Sequence, residues 1–235
     1  MTDIHAHVLP RFDDGPRSLE ESAQLVKECA DKGISVIVST SHYYSSSMPY
    51  EEFAERRKRR IAELETELEK RSIDVRIVPG AEVNISDILL NLGDISGLCF
   101  GNGRYILLEI PHETDDFEKY FGIIERIVSY YNVVPIIAHI ERYKFLLSRE
   151  ENIDRLKEIG CLIQIDAQVI TQRSFFKKRK ILNFLKNGKV DLVASDCHGG
   201  DRPQNLPEAY DIISKSIGEK YVGILSRNAD AVAGI

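Results

Sequence analysis

The chain has no tryptophan, only two methionines and only four cysteines among 235 residues. The cysteines, Cys29, Cys99, Cys161 and Cys197, are too few and too scattered for the disulfide framework that staples small secreted domains, and they read as reduced thiols. No apolar run approaches the roughly 20 residues needed to cross a bilayer, so direct membrane insertion is not expected. Strand-like residues begin at Thr2, which leaves no space for an export signal and points to a cytoplasmic protein. An excess of positive charge is also missing. With a formal charge of −6 there is no general affinity for the phosphate backbone, and no nucleic-acid partner is expected. Pro-rich linkers, repeats and low-complexity stretches are absent, so residues 1–235 are expected to form a single domain.

What is present is an alternation of short β-branched runs with longer segments of helical period, the pattern of repeated βα units around a parallel sheet. Seven runs stand out, at residues 3–9, 35–40, 75–79, 105–110, 133–138, 161–166 and 191–195. Most lack polar alternation, as strands covered on both faces do. Ser18 with Glu21 and Ser148 with Glu151 are spaced for capping boxes, and Gly33, Gly160 and Gly188 fall where helices should end. The expected architecture is one α/β barrel. The helix expected over residues 49–71 carries a basic run, Arg56, Arg57, Lys58, Arg59 and Arg60, with Glu52, Glu55, Glu63 and Glu67 at pairing distance. That run reads first as a solvated face, and otherwise as a contact for an acidic partner or a second subunit.

Function is carried by where the polar residues fall. His5 and His7 alternate along the first run, so both side chains share a face and can grip one ion. His42 follows the second run and Glu82 the third. Glu109 ends the fourth, His139 follows the fifth, and Asp196 and His198 end the seventh. In a parallel barrel the strands' C-terminal ends converge on one mouth, so residues scattered along the chain become neighbours. With Asp14, from the loop after the first run, they make nine candidate ligands. Nine are too many for one tetrahedral ion and point to two or three. Mixed imidazole and carboxylate donors suit zinc, iron or manganese better than calcium. A lone buried histidine is usually a hydrogen-bonded core residue, but this many acids and imidazoles at strand ends would, without a cation, leave unpaired buried charge. His112, one turn past Glu109, has no such partner logic and is expected to play no part.

In order and spacing these residues resemble the polymerase-and-histidinol-phosphatase (PHP) family. More narrowly, DIHAHVLPRFDDGP at residues 3–16, TSHY at 40–43, HIERY at 139–143 and SDCH at 195–198 resemble the bacterial tyrosine phosphatases encoded with capsule and exopolysaccharide genes. The resemblance implies a TIM-barrel-like fold, a distorted seven-stranded (β/α)7 barrel. It also implies three divalent ions, manganese first and iron, zinc, cobalt or magnesium as alternatives, held by His5, His7, Asp14, His42, Glu82, Glu109, His139, Asp196 and His198. Arg142 and Arg202 take the positions of the family's phosphate-binding arginines. The implied substrate is a phosphotyrosine protein, a bacterial tyrosine autokinase with a tyrosine-rich tail. Arg11 stands where the family often has Gly, and Ser41 and Ile140 where it often has Pro; these departures touch loop shape and substrate preference rather than ligands.

The expected reaction is in-line attack on phosphorus by a hydroxide bridging two ions, with Arg142 and Arg202 clamping phosphate oxygens and Asp14 or His198 available to protonate the leaving group. A histidinol phosphatase, or another phosphatase of small phosphomonoesters, shares most of the motifs and remains the alternative. A metal-bearing module that only binds phosphorylated partners fits less well, because the ligand set is intact. A cysteine-nucleophile phosphatase is disfavoured, since only four residues separate Cys197 from Arg202 where that phosphate loop uses five. Cys197 therefore reads as a packing residue.

Overall fold

The computed structural model describes residues 1–112, 114–172 and 174–235. Its strands are β1 (Thr2–Ala6), β2 (Val36–Ser39), β3 (His42–Tyr43), β4 (Arg76–Pro79), β5 (Glu82–Asn84), β6 (Tyr105–Glu109), β7 (Val134–Ile137), β8 (Leu162–Asp166) and β9 (Leu192–Ala194). Among the described residues every pairing between these strands is parallel. One sheet runs β1-β2-β4 and the other β3-β5-β6-β7-β8-β9.

The parallel α/β expectation holds, whereas among the described residues the pairing gives nine strands in two curled sheets where the sequence suggested seven in one barrel. The difference lies at two breaks. The second run stops at Ser39 and resumes at His42, and the third stops at Pro79 and resumes at Glu82. Backbone bonds stitch the breaks together, from Gly80 N–H to the Ser39 carbonyl at 3.0 Å and from Glu82 N–H to the Thr40 carbonyl at 3.1 Å. At the far side β9 approaches β1 through an isolated Ala6–Cys197 bridge, with Asp196 N–H donating to the His5 carbonyl at 2.9 Å.

Helices cover the outer faces: α1 (Leu19–Asp31), α2 (Tyr50–Lys70), α3 (Phe117–Tyr131), α4 (Lys144–Ser148), α5 (Glu150–Glu158), α6 (Ala167–Thr171), α7 (Phe175–Lys186), α8 (Leu206–Ile217) and α9 (Glu219–Ala233). Ser18 caps α1 as expected, accepting the Glu21 amide at 3.1 Å. The second capping box does not form. Ser148 ends α4 and turns its hydroxyl back to the Lys144 carbonyl, which leaves Arg149 as the N-cap of α5 with no side-chain cap bond.

The larger apolar cluster lies between sheet and helices. A smaller one fills the interior with Ile4, Val38, Val78, Leu107, Ile136 and Leu192, closed from below by Ala229, Val232 and Ala233 of α9. Leu107 stands two residues before Glu109 on the same strand face, so this inner core is the dry floor under the polar strand ends. The basic run of α2 is only partly a solvated face. Arg57 is buried and donates to the Gly80 carbonyl at 2.7 Å beside the strand break, and Arg56 donates to the Arg11 carbonyl at 2.7 Å while stacking on Phe12.

Candidate metal centre

Glu82, 1% exposed, is the hub. Its Oε2 lies 3.3 Å from His5 Nε2, 3.3 Å from His7 Nε2 and 3.1 Å from His42 Nδ1, and its Oε1 lies 2.7 Å from His139 Nε2. Asp196 Oδ1 reaches the same His5 and His7 nitrogens at 3.3 and 3.5 Å. Glu109 sits 3.5 Å from His139 and 4.0 Å from His42. Asp14 stands on the open side, 3.1 Å from His198 Nε2 and 3.6 Å from His42 Nε2. All nine residues expected from the sequence are therefore drawn together. Among the described residues, ligand atoms close enough to share an ion occur in three overlapping groups: His5, His7, Glu82 and Asp196; His7, Asp14, His42 and His198; and His42, Glu82 and Glu109.

The chemistry of the donors fits divalent cations. His5 Nδ1, His42 Nδ1 and His198 Nε2 are buried and make no hydrogen bond, although carboxylates stand close by the last two. Lone pairs packed against carboxylates in a dry site are costly to leave unmatched, and a shared cation matches them. Outer partners also fix three rings so that the second nitrogen faces the cluster. His7 Nδ1 bonds Asp13 at 2.8 Å, His198 Nδ1 bonds the Asp196 carbonyl at 2.8 Å, and His139 Nδ1 meets the Tyr143 hydroxyl at 3.3 Å. Such outer bonds set the tautomer and aim of a ligating imidazole.

Charge is arranged to match. Burial opposes ionisation of Glu82, but the charge of His5 and the hydrogen bond from His139 outweigh it and hold the carboxylate well below its usual range. Burial likewise opposes charge on His139, and its bonds to Glu109 and Glu82 prevail, lifting it to about 10. His198 goes the other way, pushed to about 4 by burial and by the neighbouring His7, so its Nε2 is a free lone pair near neutrality.

His139 (φ 32°) and Asp196 (φ 53°) both take left-handed backbone, which non-glycine residues adopt at a cost of about 1–3 kcal/mol. At Asp196 the surroundings impose it. The buried Asp3 carboxylate accepts the Ser195 hydroxyl at 2.5 Å and the Gln204 amide at 2.7 Å, pinning the turn that presents Asp196. Arg11 is left-handed too, at φ 54°.

The arginines border the cluster. Arg142 donates to Asp166 Oδ2 at 2.6 Å and to Asp196, and Arg202 donates to Asp14. Two openings lie on either side of Asp14. One of about 530 Å³ is lined by His198, Arg202 and Arg17, and one of about 420 Å³ by Phe12, His42, Tyr44 and Met48.

Sequence reasoning missed Asp13, Asp3 and Asp166, the carboxylates one layer out. Asp166 ends a strand, and the rule that found Glu109 would have found it. His112, set aside on sequence grounds, in fact lies 3.2 Å from Glu109 Oε1 and stacks with Tyr143, at the edge of the cluster.

Fold and site together define a protein whose parallel sheet curls around an apolar core and carries, on its C-terminal rim, a cluster of histidines and carboxylates able to hold divalent metal. The family model for capsular polysaccharide synthesis, CpsB/CapC, matches residues 1–233, and the chain belongs to that family. Tyrosine-protein phosphatase CpsB of Streptococcus pneumoniae is 34% identical over 230 residues, 94% of this chain and 92% of that protein. Among solved structures, those of YwqE from Bacillus subtilis and CpsB from S. pneumoniae, described as unique metal-dependent tyrosine phosphatases, include a chain with TM-score 0.83 at 24% identity, covering 99% of this chain and 94% of that one. Histidinol phosphate phosphatase from Lactococcus lactis has TM-score 0.59 at 15% identity, covering 93% and 95%, a likeness of fold alone.

Proposed function

We propose that this chain is a metal-dependent phosphatase that removes phosphate from tyrosine in proteins. The observation that carries the reading is the convergence of five histidines and three further carboxylates on Glu82, flanked by Arg142 and Arg202. The nine residues would hold three divalent ions, manganese first, whose chemistry when bound is to lower the pKa of water from about 15.7 toward 7 and to neutralise phosphate oxygens. The inner apolar core keeps the floor of the site dry, which strengthens every charge interaction above it.

Arg142 and Arg202 supply the remaining positive charge. Each is held by carboxylates of the rim, so its guanidinium is aimed before substrate arrives, and a phosphate can take up its free N–H groups. Asp14 is kept below the usual carboxylate range, since its bond to Arg202 and the nearby His198 outweigh its burial, and His198 too is unprotonated near neutrality. We therefore assign both to ligation ahead of proton transfer. A phenolate of pKa about 10 leaves with less help than an alkoxide, which suits a site of this kind. The cleft walled by Phe12, Tyr44 and Met48 beside His42 offers apolar contact to an aromatic ring, and this favours phosphotyrosine over histidinol phosphate. A cytoplasmic setting and a tyrosine autokinase substrate complete the proposal, as does the reading of the two sheets as one distorted barrel of seven interrupted runs.

The test is Arg202→Ala. Turnover of a phosphotyrosine peptide should fall by about 10²-fold or more, as when one charged clamp on a transferring phosphoryl group is removed, while bound metal is unchanged. Full turnover in that variant refutes the role.

A further inference from the structure

The chain is acidic, yet no Asp or Glu occurs between Asp166 and Asp191, a stretch that holds seven Lys and Arg. Most of these cations lie on α7. Among the described residues none of Lys177, Lys178, Arg179, Lys180 and Lys186 makes an ion pair, whereas Lys189 is taken up by Asp154 at 2.7 Å. At the start of the same helix two phenyl rings project into solvent, Phe175 67% and Phe176 85% exposed. A groove of about 910 Å³ runs from these rings down to Ile217 at the end of α8, with Lys178, Arg179 and Lys186 in its walls. Its upper end is tied by one hydrogen bond to the segment that follows Arg202. Gln172, in the groove, follows Thr171, whose hydroxyl lies 3.5 Å from the side-chain amide of Asn205, three residues from Arg202.

From this juxtaposition we infer that the α7–α8 groove docks an acidic segment of the phosphoprotein substrate while its phosphotyrosine occupies the metal centre; the inference rests on the protein-phosphatase reading above. Unpaired cations beside exposed aromatic rings attract carboxylates and then hold apolar side chains between them. A second copy of this chain is a poor occupant, because a two-fold contact would set the same unpaired cations against one another. A bilayer surface is flat, whereas these cations line a concave groove that an extended peptide can enter.

Two phosphotyrosine peptides of equal length, one with acidic and one with neutral flanks, test this on the intact metal-loaded protein. The acidic peptide should show a KM lower by about tenfold, the gain expected from two or three partly screened ion pairs. Lys178→Glu with Arg179→Glu should erase that difference and leave turnover of p-nitrophenyl phosphate unchanged. Anisotropy of the labelled acidic peptide without its phosphate should report the same loss of binding. Equal KM values in the unaltered protein, or a preference that survives the double substitution, overturn the docking site. So does a cation-dependent binding seen with anionic vesicles and not with the peptide. If the protein binds the acidic peptide through these residues but hydrolyses neither phosphopeptide, it is the phosphatase reading that fails and the groove that stands.

Discussion

Replacing Asp13 by asparagine changes one atom in a residue that touches no proposed ion directly, and the structure says why it should matter. Asp13 Oδ2 accepts from His7 Nδ1 at 2.8 Å and from the His42 amide at 3.1 Å, while Oδ1 accepts the Gly15 amide at 3.1 Å. Asparagine has one acceptor oxygen and one NH2. If the oxygen stays with His7 and His42, the NH2 meets the Gly15 N–H, and a bond to a charged acceptor worth about 1.5–3 kcal/mol is lost. If the amide is turned, its NH2 faces His7 Nδ1 and drives the ring proton to Nε2, the atom aimed at Glu82 and Asp196. Either arrangement loosens or misdirects a ligand. Outer-layer changes of this kind typically cost 10–100-fold in metal affinity or activity, about 1.4–2.7 kcal/mol. Elemental analysis of protein equilibrated at graded free manganese, alongside kcat/KM on a phosphotyrosine peptide, reads both losses, with a thermal melt to check folding. Wild-type metal affinity and kcat/KM in Asp13→Asn refute the reasoning.

Two other outcomes follow from the same geometry. Arg11 occupies left-handed backbone that glycine adopts without strain, so Arg11→Gly should leave turnover intact and shift stability by no more than about 1 kcal/mol, in the stabilising direction if relief of strain exceeds the entropy of the freer chain; chemical denaturation decides it. Imidazole ligates only when neutral, and His198 stays neutral down to about 4, so metal release should be complete only once the pH falls to about 4, and raising it again with metal present should restore binding. A metal-to-protein ratio unchanged after dialysis at about pH 4 contradicts ligation by His198 and its neighbouring imidazoles.

The parallel strands and their end residues were legible in the sequence because both signals are local: uninterrupted β-branched runs, and a polar residue just past each. His5 and His7 share a face by strand period alone, and the structure has them so, with Ala6 turned into the outer core between them. The breaks at Thr40–Ser41 and Gly80–Ala81 were not legible, since they depend on how neighbouring chains stitch together across them. A buried Arg57 was equally hidden; its role is set by the Gly80 carbonyl 23 residues away, and the helix it stands on reads as a mixed-charge face. Asp13 and Asp3 escaped for a related reason. Their partners are a ring nitrogen and a distant turn, contacts that no spacing rule encodes.

Residues far apart in sequence meet around Glu82, and the proposed hydrolysis of phosphotyrosine depends on the cations they would hold. Reconstitution tests it most directly: protein stripped with chelator is titrated with manganese while turnover of a phosphotyrosine peptide and bound metal are followed together, for the unaltered chain and for Glu82→Gln. Stripped protein should show no turnover, recovery should track the binding of more than one ion per chain, and Glu82→Gln should show little binding or recovery. Full turnover in the stripped protein, or recovery indifferent to Glu82, would contradict that dependence.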